Sequence, residues 1–257
     1  MPASRKAALV TGAAGGLGGA IARDLAARGH DLVLTDLDGD RLADLARALT
    51  ADHGIAVAML PHDLTDDAGR GAFVARAFGA FGRLDTLVNN AGVSVLSRGD
   101  ILDVTPESFD RCIAVNLRAQ FFLTQGVARA MIAAPVPHRR AIVSITTVAL
   151  DHMVGTVLAE YCTSKAGLSH AMQHFAARLV REGIDCFEVR PGMMQTAMTA
   201  GSSAKYDAMI AGGAVPAGRW GQTAEVAQAV GAMADGALSY AVGQVLHIDG
   251  GFRLKAF

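Results

Sequence analysis

Seven short apolar runs punctuate this chain: Ala7–Val10, Leu32–Thr35, Ile55–Met59, Leu84–Val88, Ala141–Ile145, Ile184–Val189 and Gln244–Ile248. Longer stretches of helical periodicity separate them, and this alternation constrains the fold more than any other feature. Several runs are too apolar for strands with one face in water, so they suit a parallel sheet covered on both sides. Among the helical stretches, Leu168, Met172, Phe175 and Leu179 step by four, three and four, one stripe of a helix. Another helix is predicted to start at Thr105-Pro106-Glu107, with an N-cap candidate and proline at the first helical position. Strand–helix alternation repeated about six times predicts an α/β fold, a doubly wound parallel sheet of about seven strands. The two prolines of Ala133–His138 must end a helix, but the segment is short enough for a helix-to-strand loop. With no repeat, low-complexity tract or linker, residues 1–257 read as one domain.

Composition excludes several function classes. Hydrophobic residues make up 51% of the chain and charged residues 18%, a balance that disordered chains do not show. The 23 basic and 24 acidic residues nearly cancel, so no net basic field draws nucleic acid or an anionic membrane surface. No run of about 18 apolar residues occurs, which argues against a membrane span. Arg5 and Lys6 ahead of an apolar stretch superficially resemble a secretory signal, but its glycines would weaken an insertion helix and it runs into a charged helix. Cys112, Cys162 and Cys186 are odd in number and far apart, fitting neither a disulfide framework nor zinc spacing. A cytoplasmic protein with reduced cysteines and no metal site is the expectation.

The first apolar run leads straight into Thr11-Gly12-Ala13-Ala14-Gly15-Gly16-Leu17-Gly18 and then a helix. Glycines at a strand-to-helix turn let a pyrophosphate approach the backbone, and the helix N-terminus offers free N–H groups and a positive dipole end. Gly12, Gly16 and Gly18 follow G-x-x-x-G-x-G rather than the general dinucleotide spacing. Asp36 closes the second strand, where a carboxylate can accept from ribose hydroxyls and repel a 2′-phosphate. No arginine or lysine lies in the glycine loop or beside Asp36, which favours NAD(H) over NADP(H). A solvated aspartate in the acidic string DLDGD is the plainer reading. Asp63, after the third strand, could meet the adenine amino group.

Four motifs in order now resemble the short-chain dehydrogenases/reductases: TGAAGGLG at 11–18, NNAG at 89–92, Asn116, and Tyr161-Cys162-Thr163-Ser164-Lys165. Pro191-Gly192 and a closing IDGG at 248–251 extend the similarity over nearly the whole chain. The resemblance implies a Rossmann-type sheet and a nicotinamide cofactor. Its binding set would include Leu17, Asp63, Leu64, Asn89, Ala91, Gly92, Pro191, Met194 and Thr196, besides the glycine turn, Asp36, Tyr161 and Lys165. Asn89 reads equally well as sheet support. By the same resemblance Tyr161 exchanges a proton, Lys165 also holds the nicotinamide ribose, and Asn116 fixes a water behind the lysine.

Tyr161 and Lys165 are four apart and share one helical face. A free phenol titrates near about 10, so a nearby ammonium and the positive oxidised cofactor are expected to lower it. A fall of about three units corresponds to roughly 4 kcal/mol. The family usually places a serine thirteen positions before the tyrosine; here that position is Val148, which has no hydroxyl. Ile145-Thr146-Thr147 resembles the family's Ile-Ser-Ser, implying one extra residue before Tyr161, absorbed in Ala149–Thr156. Thr147 is therefore the expected third catalytic hydroxyl, with Thr146 and then Ser144 as the alternatives.

Substrate choice should rest on loops at the strand ends: Val93–Arg98, Val148–Leu158 and Gln195–Ala217. Met153, Val154, Val157, Met193, Met194 and Met198 favour an apolar ketoacyl, steroid or lipid-like alcohol. Arg98, His152, Lys205 and Tyr206 leave a sugar or polyol open. Overall, the chain resembles the 3-oxoacyl-carrier-protein reductase branch, with which Asp36 sits awkwardly, since fatty-acid synthesis normally uses NADPH. His170 and His174 could chelate a metal, but with no third ligand a helix surface or subunit contact is expected. The resemblance implies a homodimer or homotetramer. A non-catalytic dinucleotide-binding protein is the rival function, and an intact Asn116–Tyr161–Lys165 set speaks against it.

Overall fold

The computed structural model describes residues 5–152 and 156–254. Met153 and Val154, and part of the loop expected to absorb the extra residue, lie outside these. The strands are β1 (Ala7–Thr11), β2 (Asp31–Thr35), β3 (Val57–Met59), β4 (Thr86–Asn89), β5 (Arg140–Ile145), β6 (Ile184–Pro191) and β7 (Val245–Ile248). They form one parallel sheet in the order β3-β2-β1-β4-β5-β6-β7. Every expected strand is present. The third is shorter than its apolar run and partly exposed, because it lies at the sheet edge with one neighbour.

The helices are α1 (Gly16–Ala27), α2 (Gly39–His53), α3 (Arg70–Gly79), α4 (Pro106–Cys112), α5 (Gln120–Ala133), α6 (Ala159–Leu179), α7 (Ser203–Ala211) and α8 (Thr223–Asp235). Thr105 caps α4 by accepting from the Ser108 N–H, with Pro106 opening the helix, as the sequence predicts. Two cores flank the sheet: α1, α2 and α8 cover one face, while α3, α5 and α6 cover the other. Central strands are therefore buried on both sides, which explains their uninterrupted apolar runs. Strand order reverses between β1 and β4, and such a switch point opens a crevice at the carboxyl ends of the strands.

Two local features were not legible in the sequence. Between α4 and α5 the chain makes a π-helical stretch, Ile113–Ala119, which carries Asn116. Such stretches are rare and cluster at functional sites. Leu158, just before α6, has φ +65° and is the sole non-glycine in the left-handed region among the described residues. Holding a leucine there costs about 1–2 kcal/mol, so packing fixes the start of the helix bearing Tyr161.

Candidate active site

A cavity of about 720 Å³ lies at the strand ends, running from the glycine turn past β4 and β5 to α7. At one end the turn after β1 is sterically obligatory. Gly12 has φ +65°, and a Cβ there would stand 2.8 Å from the Ala91 Cα. A Cβ on Gly18 would fall on the Gly12 carbonyl oxygen, a backbone atom that cannot swing away. Gly18→Ala is expected to cost about 1–3 kcal/mol, read by denaturant unfolding; unchanged stability would mean that the turn has slack. Asn90 locks the turn to β4, with Nδ2 donating to the carbonyls of Thr11 (2.9 Å) and Gly12 (3.1 Å). Gly16, Leu17 and Gly18 line the cavity at the start of α1.

Asp36 lines the same end. Its Oδ2 accepts from the Ala14 N–H at 2.9 Å and its Oδ1 from the Leu37 N–H at 2.7 Å. A carboxylate has about four acceptor sites, so capacity remains for a diol. Asp63 and Leu64 line the far wall, and Asp63 is tied by the Thr65 N–H (2.9 Å) and hydroxyl (2.7 Å), which lower its pKa. His62 beside them stacks on Phe73 at 4.5 Å, and burial lowers its pKa, keeping the ring neutral at pH 7. No lysine or arginine lines this end of the cavity among the described residues.

Asn89 requires a correction. Its side chain is buried away from the cavity, with Nδ2 donating to Thr124 Oγ1 (2.8 Å) and Ser144 Oγ (3.2 Å). It braces β4 against α5 and β5, and its neighbour Asn90 lines the cavity instead. Residue alternation at the end of the strand decides between the two. Ala91 and Gly92 line the cavity as expected, and so do Pro191, Met194 and Thr196. Thr196 is held by Thr199, whose hydroxyl accepts from the Thr196 N–H at 3.0 Å and donates to the Met194 carbonyl at 2.7 Å.

At the centre, α6 carries Tyr161 and Lys165 to the cavity wall. Burial pushes the Tyr161 phenol up to about 12, with the neighbouring Thr147 hydroxyl acting in the opposite direction. The expected lowering is thus absent from the protein alone: desolvation of a phenolate outweighs the favourable influence of the Thr147 hydroxyl. Lys165 is 3% exposed and donates to the Ile145 carbonyl at 2.8 Å. Burial pulls its ammonium down to about 8, while the charge of Glu188 opposes the fall.

The three candidate hydroxyls separate cleanly. Thr147, two residues past the end of β5, lies beside the Tyr161 phenol. Thr146 turns the other way, donating to Glu188 Oε1 at 2.5 Å. Ser144 is wholly buried beside Asn89.

Asn116 is fully buried and does not reach the cavity. Its Oδ1 accepts from the Val93 N–H (2.8 Å), and its Nδ2 donates to the Val93 carbonyl (2.9 Å) and Ser164 Oγ (3.0 Å). Ser164 in turn donates to the Tyr161 carbonyl at 2.7 Å. Through these bonds Asn116 ties the loop after β4 to the Tyr161 turn of α6. Both amide hydrogens are taken, so its side chain could meet the expected water only through the second lone pair of Oδ1.

The far end of the cavity is mixed. Met193, Met198, Met209 and Leu158 stand opposite a polar rim of Arg98, His152, Lys205 and Tyr206. His152 packs edge-on to Phe252 at 5.1 Å, and its Nε2 is buried with no partner. His170 and His174 lie elsewhere, exposed on α6 with their Nε2 atoms 3.4 Å apart. No group of three or more metal-ligating side chains occurs among the described residues, and no helix there is long and apolar enough to cross a membrane.

Comparison with known proteins agrees with this architecture. A family profile described as enoyl-(acyl carrier protein) reductase matches residues 12–253. A crystal structure of 3-oxoacyl-[acyl-carrier protein] reductase from Brucella melitensis in complex with NAD superposes with TM-score 0.94, at 42% identity over 99% of each chain. The 3-oxoacyl-[acyl-carrier-protein] reductase of Escherichia coli is 36% identical over 97% of this chain and 98% of its own. Sorbitol dehydrogenase of Cereibacter sphaeroides is 31% identical over 96% of both. The chain belongs to the short-chain dehydrogenase/reductase family, oxidoreductases that act on CH–OH and keto groups with a nicotinamide dinucleotide.

Proposed function

We propose that this protein is an NAD(H)-dependent oxidoreductase that interconverts a secondary alcohol and a ketone, with Tyr161 as the acid/base group. The observation that carries this reading is the convergence of the Thr147 and Tyr161 hydroxyls and Lys165 on the lining of one cavity, with Lys165 buried on the helical face of Tyr161. The glycine turn fits a pyrophosphate, since Gly12, Gly15, Gly16 and Gly18 line the cavity at the start of α1, where free N–H groups and the positive dipole end face an anion. Asp36, Asp63, Ala91, Gly92, Met194 and Thr196 would hold the rest of the dinucleotide, which supplies or accepts the hydride when bound. Thr147 donates a hydrogen bond to the substrate oxygen, and Tyr161 gives that oxygen its proton during ketone reduction or removes it during alcohol oxidation. Lys165 contributes positive charge behind the phenol and a donor for a ribose hydroxyl. Any water behind Lys165 would be held by backbone carbonyls or by the remaining lone pair of Asn116 Oδ1, since both Nδ2 hydrogens are occupied.

NAD(H) is assigned over NADP(H) on Asp36 and on the lack of a charged basic group beside it. An unpaired carboxylate facing a phosphate is the repulsive element that gives specificity. NADH is expected to bind at least about tenfold more tightly than NADPH, and Asp36→Ala to narrow that gap, as read by fluorescence titration. Equal affinities in the parent protein would overturn the assignment.

The methionine-rich wall suits a 3-oxoacyl-type substrate. Kinship with sorbitol dehydrogenase and the unpartnered His152 Nε2 support a second reading, a sugar or polyol. An NAD(H) turnover screen across hydroxyacyl esters, secondary alcohols and polyols separates the two. No turnover with any member would favour a non-catalytic dinucleotide-binding protein. We further propose a homodimer or homotetramer: Phe109 on α4 and Phe122 on α5 are exposed, and Phe122 packs with Phe121 beside Phe175 of α6. Sedimentation velocity tests this. The three free cysteines suit a reducing, cytoplasmic setting.

A further inference from the structure

Behind the cavity wall lies a buried carboxylate that the proposed reaction does not use. Glu188, on β6, is 3% exposed and opposite Ser144 of β5. Its Oε1 accepts from Thr146 Oγ1 (2.5 Å) and Arg190 Nε (2.7 Å), and its Oε2 from Ser169 Oγ (2.7 Å). Arg190 continues outward, donating to Ser169 Oγ (2.9 Å) and to Asp151 Oδ1 (2.6 Å), and His247 Nε2 of β7 lies 2.9 Å from Asp151 Oδ2.

Two of these contacts bracket Lys165. Ser169 is one helical turn beyond it on α6, so the two side chains share a face. Thr146 directly follows Ile145, whose carbonyl receives the Lys165 ammonium at 2.8 Å. Lys165 is bridged to Glu188 through α6 on one side and the end of β5 on the other. Thr147, next along the chain, lies beside the Tyr161 phenol.

We propose that Glu188 is a positioning residue for the reaction: its carboxylate is the counter-charge of buried Lys165, and through Thr146 it fixes the strand end that carries the Ile145 carbonyl and the Thr147 hydroxyl. The inference rests on the functional reading above. A buried charge is retained only when paired and hydrogen-bonded. Glu188 meets that condition through three donors, Thr146, Ser169 and Arg190. Its charged neighbours are Lys165 from α6 and Arg190 from its own strand. Asp151, in the loop after β5, and His247, on β7, stand behind Arg190. Arg190 divides its guanidinium between Glu188, Ser169 and Asp151, so Asp151 balances part of its charge.

The sign follows from this arrangement. Burial already draws the Lys165 ammonium down to about 8, and Glu188 opposes it. Removing the carboxylate lowers it further, so the charged form is lost at lower pH. Tyr161, near 12, titrates well above that range.

Glu188→Gln keeps the size and can still accept from Thr146, but removes the charge. In the ketone-reducing direction the basic limb of kcat against pH is expected to move down by about half to one unit. We expect kcat near pH 8 to fall about two- to sixfold, KM to change less than twofold, and Glu188→Asp to restore the limb toward that of the parent. A direct readout needs no turnover. The chain has four lysines, Lys6, Lys165, Lys205 and Lys255, so NMR titration of ε-¹³C-lysine-labelled protein follows Lys165 by itself. Its midpoint should fall in Glu188→Gln. If the single variant does not fold, the neutral pair Glu188→Gln with Arg190→Gln leaves no unpaired guanidinium and is expected to show a smaller fall in the same direction, because an opposing positive charge leaves with it. An unmoved Lys165 midpoint in a folded variant overturns the inference. So does an unmoved limb where Tyr161→Phe is inactive. If Tyr161→Phe stays active, the functional reading fails instead, while the NMR result still decides on Glu188.

Discussion

Tyr161→Phe is expected to keep the fold and dinucleotide binding and to lower turnover by about two to four orders of magnitude, the scale of a lost positioned proton donor. The hydroxyl is the one group removed, and the Thr147 hydroxyl beside it stays in place. A ring of the same size stays in place on α6, so the cavity wall keeps its shape. The phenol near 12 also sets a direction. In ketone reduction a neutral phenol is already the form required, so the rate should stay flat across neutral pH until the Lys165 ammonium is lost near 8. In alcohol oxidation the proton must leave first, so the rate should climb with pH. Lys165→Ala should damage both turnover and dinucleotide affinity, because Lys165 serves both. Steady-state kinetics in both directions, with dinucleotide titration, check these outcomes. A Tyr161→Phe enzyme nearly as active as the parent would overturn the mechanism.

Thr147→Val should raise the barrier by roughly 2–4 kcal/mol, the scale of a lost oxyanion donor, while Thr147→Ser keeps activity. Valine preserves the volume and β-branching of threonine but cannot donate. Thr146→Val removes a hydroxyl from the other side of the strand, where it serves Glu188. It leaves a buried carboxylate one donor short, a cost of about 1–3 kcal/mol in stability, and should lower turnover less than Thr147→Val. The pair thus fixes the register of the β5 end. Thr147→Val silent and Thr146→Val crippling would place the substrate on the opposite face.

The sequence by itself determined the sheet, the order of its elements and the chemistry-bearing motifs. Seven apolar runs and the helical stripes between them are local periodicities, and burying both faces of a parallel sheet demands them. The Gly12–Gly18 turn and the Tyr161–Lys165 spacing were equally legible, because one backbone turn and one helical face depend on near neighbours alone. Tertiary structure alone decided which side chains meet. Asn89 and Asn90 look interchangeable in NNAG until β4 is paired with β5, and then one is a brace and the other locks the glycine turn. Asn116 keeps its place but spends its amide on Val93 and Ser164, partners 23 and 48 residues away. The Tyr161 phenol is raised rather than lowered in the protein alone, because desolvation depends on everything packed around a group and no spacing encodes it. Glu188 carried no motif at all: its position opposite Ser144, behind Lys165, exists only once β5, β6 and α6 are assembled.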